Sequence, residues 1–358
     1  MSRYLLIGAA ALALMTAACG KQSEGGSATV GPASEELMKL ARDQFKALPA
    51  SYKDLPGDAV SEDLIALGSM LYHDPRLSGS HALSCASCHN VGLGGGDNAS
   101  TSIGHNWQQG GRNAPTVLNA TLNFSQFWDG RAKDLVEQAG GPVVNPIEMN
   151  SPKEHIVEQV KSIPGYADAF AKAFPGQQEP ITLGNIQLAI AAFERTLITP
   201  NAPFDQYLNG KADALTPVQK EGLKLFMDTG CASCHNGMNM GGGMYAKFGL
   251  ASDPGTVHRP VADKGRMKVT GDAADEYSFK VPTLRNIALT APYFHAGTSW
   301  DLREAVKVMA KAQLGKDLSD ADADKIVAFL GALTGDQPKV QVPILPASGP
   351  LTTRPVRN

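Results

Sequence analysis

The chain is poor in several things. Aromatic residues make up 6% of its 358 residues, while glycine (37) and proline (23) are plentiful. A core built mainly of stacked rings is therefore not available, and loops that can wrap a large group are. Charge of one sign is also lacking. The formal net charge is −3, which provides no basic footprint and argues against nucleic acid as a partner. Strand-like alternation is scarce. After the first 18 residues no uninterrupted apolar run is long enough for a spanning helix. With 43% hydrophobic and 19% charged residues the composition is globular, and the length allows two domains of ordinary size.

Residues 1–18 read as a secretory signal peptide. Arg3 provides the positive start, and the apolar run from Tyr4 ends in small residues. Thr16-Ala17-Ala18-Cys19 is similar to a bacterial lipobox, which would make Cys19 the lipidated N-terminus and 19–33 a Gly- and Ser-rich tether. Thr16 stands where Leu is usual, so an ordinary signal cut nearby is the alternative. Both readings export the chain, and the first anchors it to a membrane in the periplasm.

Of the five cysteines, Cys85, Cys88, Cys231 and Cys234 fall in two copies of Cys-Ala-Ser-Cys-His-Asn, at 85–90 and 231–236. Exported cysteines usually form disulfides, and a CxxC pair can also serve zinc. A His directly after the second Cys, twice over, changes the reading: CxxCH is the attachment signature of haem c. The spacing lets two thiols add across the haem vinyl groups while the adjacent His comes under the iron. His89 and His235 are thus the proximal ligands of two covalent haems.

Each motif is preceded by a helix signal. Ser61 leads into Leu64, Leu67 and Leu71, and Thr216-Pro217 leads into Leu223 and Phe226. Closing helices are expected over 182–197 and 319–333, where Ile186, Ile190 and Phe193, then Ile326, Phe329 and Leu330, form single stripes. The expected fold is mainly α: two cytochrome c-like domains, 34–199 and 200–336, joined near Pro200–Phe204. A proline-rich tail follows over 337–358.

The sixth iron positions separate a reactive haem from an electron carrier. No Met lies between Met70 and Met149, which favours a His on the first haem. His105, beyond a glycine-rich loop (Gly92, Gly94, Gly95, Gly96), is placed to move on and off the iron, whereas His73 before Asp74-Pro75 reads as a surface residue. In the second half Met238, Met240 and Met244 lie too near His235 to cross the ring. Met309, on the helical stretch Leu302 to Ala310, is the candidate there, and thioether ligation raises a haem potential.

Further stretches carry a family resemblance. They are Gly104-His105-Asn106-Trp107, Arg112-Asn113-Ala114-Pro115-Thr116, Phe127-Trp128-Asp129-Gly130-Arg131, Gln138 to Pro142, Glu148-Met149, Phe193-Glu194-Arg195-Thr196, Val281-Pro282-Thr283-Leu284-Arg285-Asn286 and Ala291-Pro292-Tyr293-Phe294-His295. In order and spacing they resemble the bacterial di-haem cytochrome c peroxidases over nearly the whole chain. Taken alone, Trp128 reads equally well as core, Glu148 as a solvated loop carboxylate, Gln138 as a helix-surface residue and Asn113 as a turn residue.

The resemblance implies that the chain reduces hydrogen peroxide with electrons from a small c-type cytochrome or cupredoxin. It makes 34–199 the peroxidatic domain and 200–336 the electron-transferring one. His105 would cap the first haem in the resting state, Gln138 and Glu148 would form the distal pair, and Trp128 would stand between the haems. Met309 would be the distal ligand of the second haem. Asn113, with the carbonyls of Thr290 and Pro292, would hold calcium. The tail would pack on the first domain, and the protein would be a homodimer. A plain di-haem electron carrier is a second reading. A third is a relative that oxidises a partner protein; that branch carries Tyr where Met309 stands here.

Overall fold

The computed structural model describes residues 32–57 and 59–355; the signal segment and Cys19 lie outside them. Twelve α-helices are formed among the described residues: α1 Pro32–Gln44, α2 Glu62–His73, α3 Cys85–Cys88, α4 Leu135–Val144, α5 Lys153–Lys161, α6 Pro164–Ala173, α7 Leu183–Arg195, α8 Pro203–Leu208, α9 Pro217–Thr229, α10 Met267–Thr270, α11 Leu302–Leu314 and α12 Asp320–Gly331. One antiparallel ribbon accompanies them, β1 Tyr245–Lys247 with β2 Ser278–Lys280, in which Tyr245 faces Lys280.

The helix starts follow the local chemistry. Ser61 Oγ accepts from Leu64 N at 3.2 Å. Thr216 and Gln219 close a reciprocal capping box, with Pro217 in the first turn. Thr182 and Ser319 cap α7 and α12 singly, their side chains accepting from Asn185 N and Asp322 N.

The same crossing occurs in both halves. A Cβ on Gly68 of α2 would overlap the carbonyl oxygen of Ala189 and meet Phe193 Cβ on α7; a Cβ on Gly222 of α9 would overlap Lys325 O and meet Phe329 Cβ on α12. Glycine at these two points lets the backbones touch. Around the first crossing lie Leu67, Leu71, Tyr166, Phe170 and Phe193. Around the second lie Phe204, Leu223, Phe226, Phe329 and Leu330.

One boundary differs from the sequence expectation. Helix α1 was expected with the first half from residue 34, yet Met38, Ala41 and Phe45 are buried in the second core. Phe45 stands edge-on to Phe204 at 5.4 Å, and Arg285 Nη2 donates to Lys46 O at 3.2 Å. A long apolar face on α1 finds its complementary ring cluster there, a match that chain order does not reveal. Between the halves, the link is held by Asn119, Thr199 and Asn286, all fully buried. Asn119 Nδ2 and Asn286 Nδ2 both donate to Thr199 Oγ1, at 2.8 and 2.9 Å. Beyond residue 336 the chain runs back along the first half: Arg76 Nη1 donates to Ser348 Oγ at 3.0 Å and Thr352 Oγ1 to Ser162 O at 3.1 Å.

Candidate haem-binding centres

Each hexapeptide follows the helix that carries the crossing glycine, Cys231 two residues after the end of α9 and Cys85 twelve residues after the end of α2. The four thiols are free, not paired as disulfides. Burial pushes Cys85 up to about 12 and Cys231 to about 11, so both are neutral thiols. His89 N donates to Cys85 O at 2.9 Å and His235 N to Cys231 O at 3.0 Å, closing each motif into one turn. His89 Nδ1 lies 3.0 Å from Pro115 O and His235 Nδ1 3.3 Å from Met240 O. A carbonyl only accepts, so Nδ1 carries the proton and the Nε2 lone pair stays available for a metal. Burial also holds both rings below the usual imidazole range, His235 down to about 4. Free thiols, neutral imidazoles and a fixed tautomer together fit covalent haem c at both motifs.

Beside the second motif an apolar cavity is lined by Cys231, Cys234, His235 and, from α11, Met309. The residues expected as its axial pair thus share one cavity. It extends to the first half, where Trp128, Asn113 and Thr116 line it, together with Thr290 and Pro292. Trp128 is pinned from both sides: its Nε1 donates to Asn113 O at 2.9 Å, and its carbonyl accepts from Lys280 N at 2.7 Å. Its ring lies 6.2 Å from that of His295. Asn113 uses its amide nitrogen on Ala99 O at 2.9 Å. That leaves the amide oxygen for a hard cation, as an oxygen-ligand site requires.

The residues expected on the distal side of the first motif, His105 and Glu148, lie on loops. His105 is buried, and its N–H donates to Glu148 O at 2.8 Å. Gly104 is pressed against Ile147 O and Glu148 Cα, where no side chain fits. Gln108 Nε2 ties the two segments again, to His105 O and Pro146 O, both at 3.2 Å. Burial raises the Glu148 carboxyl above its ordinary range; the Arg131 charge and a 2.8 Å bond from Asn145 Nδ2 act the other way. Glu148 also adds to the burial that raises the Cys88 thiol, which places it near the first attachment point. Gln138 is half-buried on α4. That helix runs into the Glu148 turn through Pro142, whose carbonyl accepts from Asn145 N and Met149 N, both at 3.2 Å.

Three charged groups at these centres had no role in the sequence reading. Lys280 lines the shared cavity and burial pushes it down to about 8. A Lys inside the apolar run Phe279-Lys280-Val281 was the available signal. Glu194, buried on α7, is pushed up to about 8 by burial. Arg112 bridges Asp129 at 2.7 Å and Asp263 at 2.6 Å, joining loops 151 residues apart, a pairing with no local signal.

Two crossed-helix units, each with a Cys-Ala-Ser-Cys-His turn, define a double c-type cytochrome. Comparison with known proteins makes this specific. Residues 62–213 match the di-haem cytochrome c peroxidase family profile and residues 219–334 that of cytochrome c. The chain is 53% identical over 322 residues to cytochrome c551 peroxidase of Pseudomonas aeruginosa, covering 90% of this chain and 93% of that one. It is 52% identical over 292 residues to cytochrome c551 peroxidase of Nitrosomonas europaea, covering 82% and 86%. Among solved structures, a MauG-like protein associated with microbial copper homeostasis superposes with a TM-score of 0.70 at 29% identity, covering 87% of this chain and 99% of that one. The chain belongs to the di-haem cytochrome c peroxidase family.

Proposed function

We propose that this protein reduces hydrogen peroxide to water at its first haem, using electrons from a small c-type cytochrome or cupredoxin that enter at the second. The observation that carries the reading is the contrast between the two distal sides. The first has a partly buried carboxyl on a loop bonded to the His105 loop, and the second has a thioether on a helix. When bound, the haems supply the open iron and the store of electrons that peroxide reduction needs.

The residues then divide the remaining work. His105 would hold the first haem in the resting protein, and its loop, tied to the Glu148 turn through one backbone bond, would let it leave once an electron has entered. Glu148 takes a proton from one peroxide oxygen and returns it to the other, a task suited to a carboxyl whose pKa burial has raised toward neutrality. Gln138 orients the peroxide, Trp128 stands between the two centres, and Met309 keeps the second one closed to substrate. Asn113 Oδ1 and the carbonyls of Thr290 and Pro292, which line one cavity, would hold calcium and through it fix the interface between the halves. The protein acts in the periplasm after loss of residues 1–18, anchored through a lipid on Cys19, and works as a homodimer.

The test is peroxide-dependent oxidation of a reduced small cytochrome c by the haem-loaded protein with calcium, before and after reducing one haem. Turnover only after half-reduction supports both the peroxidase and the His105 movement. Turnover in both states removes the movement. No turnover in either leaves a di-haem electron carrier or an oxidase of a partner protein.

A further inference from the structure

The loop that leads into Cys85 and helix α5 share a polar cluster that the proposed chemistry does not use. His81 holds a left-handed backbone, φ 56°, in a region few non-glycine residues occupy. Its loop is fixed in place. Gly79 N donates to Met149 O at 2.8 Å, a Cβ on Gly79 would overlap Asn150 O, and residues 75–77 pack on α5. Helix α5 presents His155 and Gln159 one turn apart, on the same face.

His81 Nε2, His155 Nε2 and both amide atoms of Gln159 are buried with no hydrogen-bond partner in the protein. Gln159 is wholly inaccessible. The three side chains are neighbours: residues 75–77 bring the His81 loop against α5, and after burial it is His155 that acts most on His81, with Gln159 also acting on it although no bond of ordinary length closes between them. Asp74 and Arg76 are the other charged groups near His81; they form a 2.6 Å ion pair and act on it in opposite directions. Polar atoms left this way cost stability unless something satisfies them.

We propose that His81 Nε2, His155 Nε2 and Gln159 Oε1 bind a divalent transition-metal cation of the Zn2+ or Cu2+ class, with solvent completing its coordination. Imidazole nitrogen suits these ions, and a hard cation such as Ca2+ prefers an all-oxygen set. No three His, Cys, Asp or Glu side chains converge among the described residues, so this is a two-imidazole site completed by an amide. Its place gives it a consequence. His81 lies four residues before Cys85, and α5 begins five residues after Glu148. A bound ion therefore staples the haem-attachment loop to the helix that follows the acid turn.

The experiment is Zn2+ titration of the haem-loaded, calcium-replete protein against a chromophoric chelator. Wild type is expected to take up one equivalent that His81→Ala and His155→Ala each weaken at least tenfold. His73→Ala, outside the cluster, is expected to leave it unchanged. Gln159→Glu, which turns the amide oxygen into a carboxylate, is expected to tighten binding at least tenfold, so the site is tested even where an alanine variant loads haem poorly. Cu2+ electron paramagnetic resonance is expected to show hyperfine coupling to two imidazole nitrogens in wild type and to one in each His variant. No stoichiometric uptake by wild type, or the same affinity in all four variants, overturns the site.

Discussion

The two halves are one construction used twice, and three of the places where they part company bear on the haem sites. Gly68 against Ala189 O repeats as Gly222 against Lys325 O, and Phe193 repeats as Phe329. One residue further along, Glu194 is buried in the first half where Leu330 is buried in the second. The helix before the motif carries Tyr72, whose hydroxyl donates to His89 O at 2.6 Å, where the second half has Phe226. At the positions expected to be distal, the first half offers two loops stitched by the His105 N–Glu148 O bond and by Gln108, and the second offers the capped helix α11, closed by Gly315 in left-handed conformation. A ligand on a loop is released by breaking a few bonds; one on a packed helix needs the helix to move. The shared scaffold makes two haem sites, and the unshared parts make them different.

The largest effect expected from breaking this contrast is chemical. Glu148→Gln should lower peroxide turnover by about 10²–10⁴-fold while both haems still load and reduce. Steady-state assay with haem spectra checks this, and full activity would remove Glu148 from the chemistry.

Next come changes that erase the difference in the scaffold. Glu194 is pushed from 4.5 up to about 8, so between those values it is protonated in the fold and loses that proton on unfolding. Its contribution is fully present below pH 4.5 and is lost as pH rises through about 8, on the order of a few kcal/mol. Glu194→Leu, which copies the second half, should flatten the fall in denaturant midpoint over that window. If the two curves run parallel from pH 5 to 9, burial is not setting the Glu194 charge.

Overfilling the shared crossing should hurt both halves alike. Gly68→Val and Gly222→Val each force backbone apart and are expected to cost about 1–3 kcal/mol or more, read by chemical denaturation. A large cost at one glycine only would show that the crossings are not equivalent.

Two smaller changes sharpen the distal contrast. Met309→Leu should lower the potential of the second haem and leave the first unchanged, as potentiometric titration would show. An unmoved potential would take Met309 off the iron. Asn145→Ala removes a bond that favours the Glu148 carboxylate, so its pKa rises further and the acid limb of the pH–rate profile moves up by roughly one unit or less. A shift in the opposite direction would mean that Asn145 favours the protonated form.

The attachment chemistry is local and was fully legible. Two cysteines, a histidine and their spacing fall within five residues, so no tertiary information is needed to see them. The helices around them were legible for the same reason: Ser61, Thr216, Thr182 and Ser319 each cap the N–H three residues on, and Pro217 fixes its own backbone for the first turn. The expected helix over 182–197 forms as Leu183–Arg195, and that over 319–333 as Asp320–Gly331.

What only the tertiary structure decided depends on pairs far apart in the chain. It put α1 into the second core through Phe45 and Phe204, and Arg112 between Asp129 and Asp263. It also put Lys280 into an apolar wall beside Trp128 and brought His81 up to α5. Each of these is set by which surfaces are complementary once the chain has collapsed, and a charge buried by a distant segment leaves no trace in its own neighbours along the sequence. The sequence alone determined that this chain carries two c-type haems. Only the fold decided that Glu148 and Glu194 are buried near the first motif and Lys280 beside the second, because burial and long-range packing set their charge.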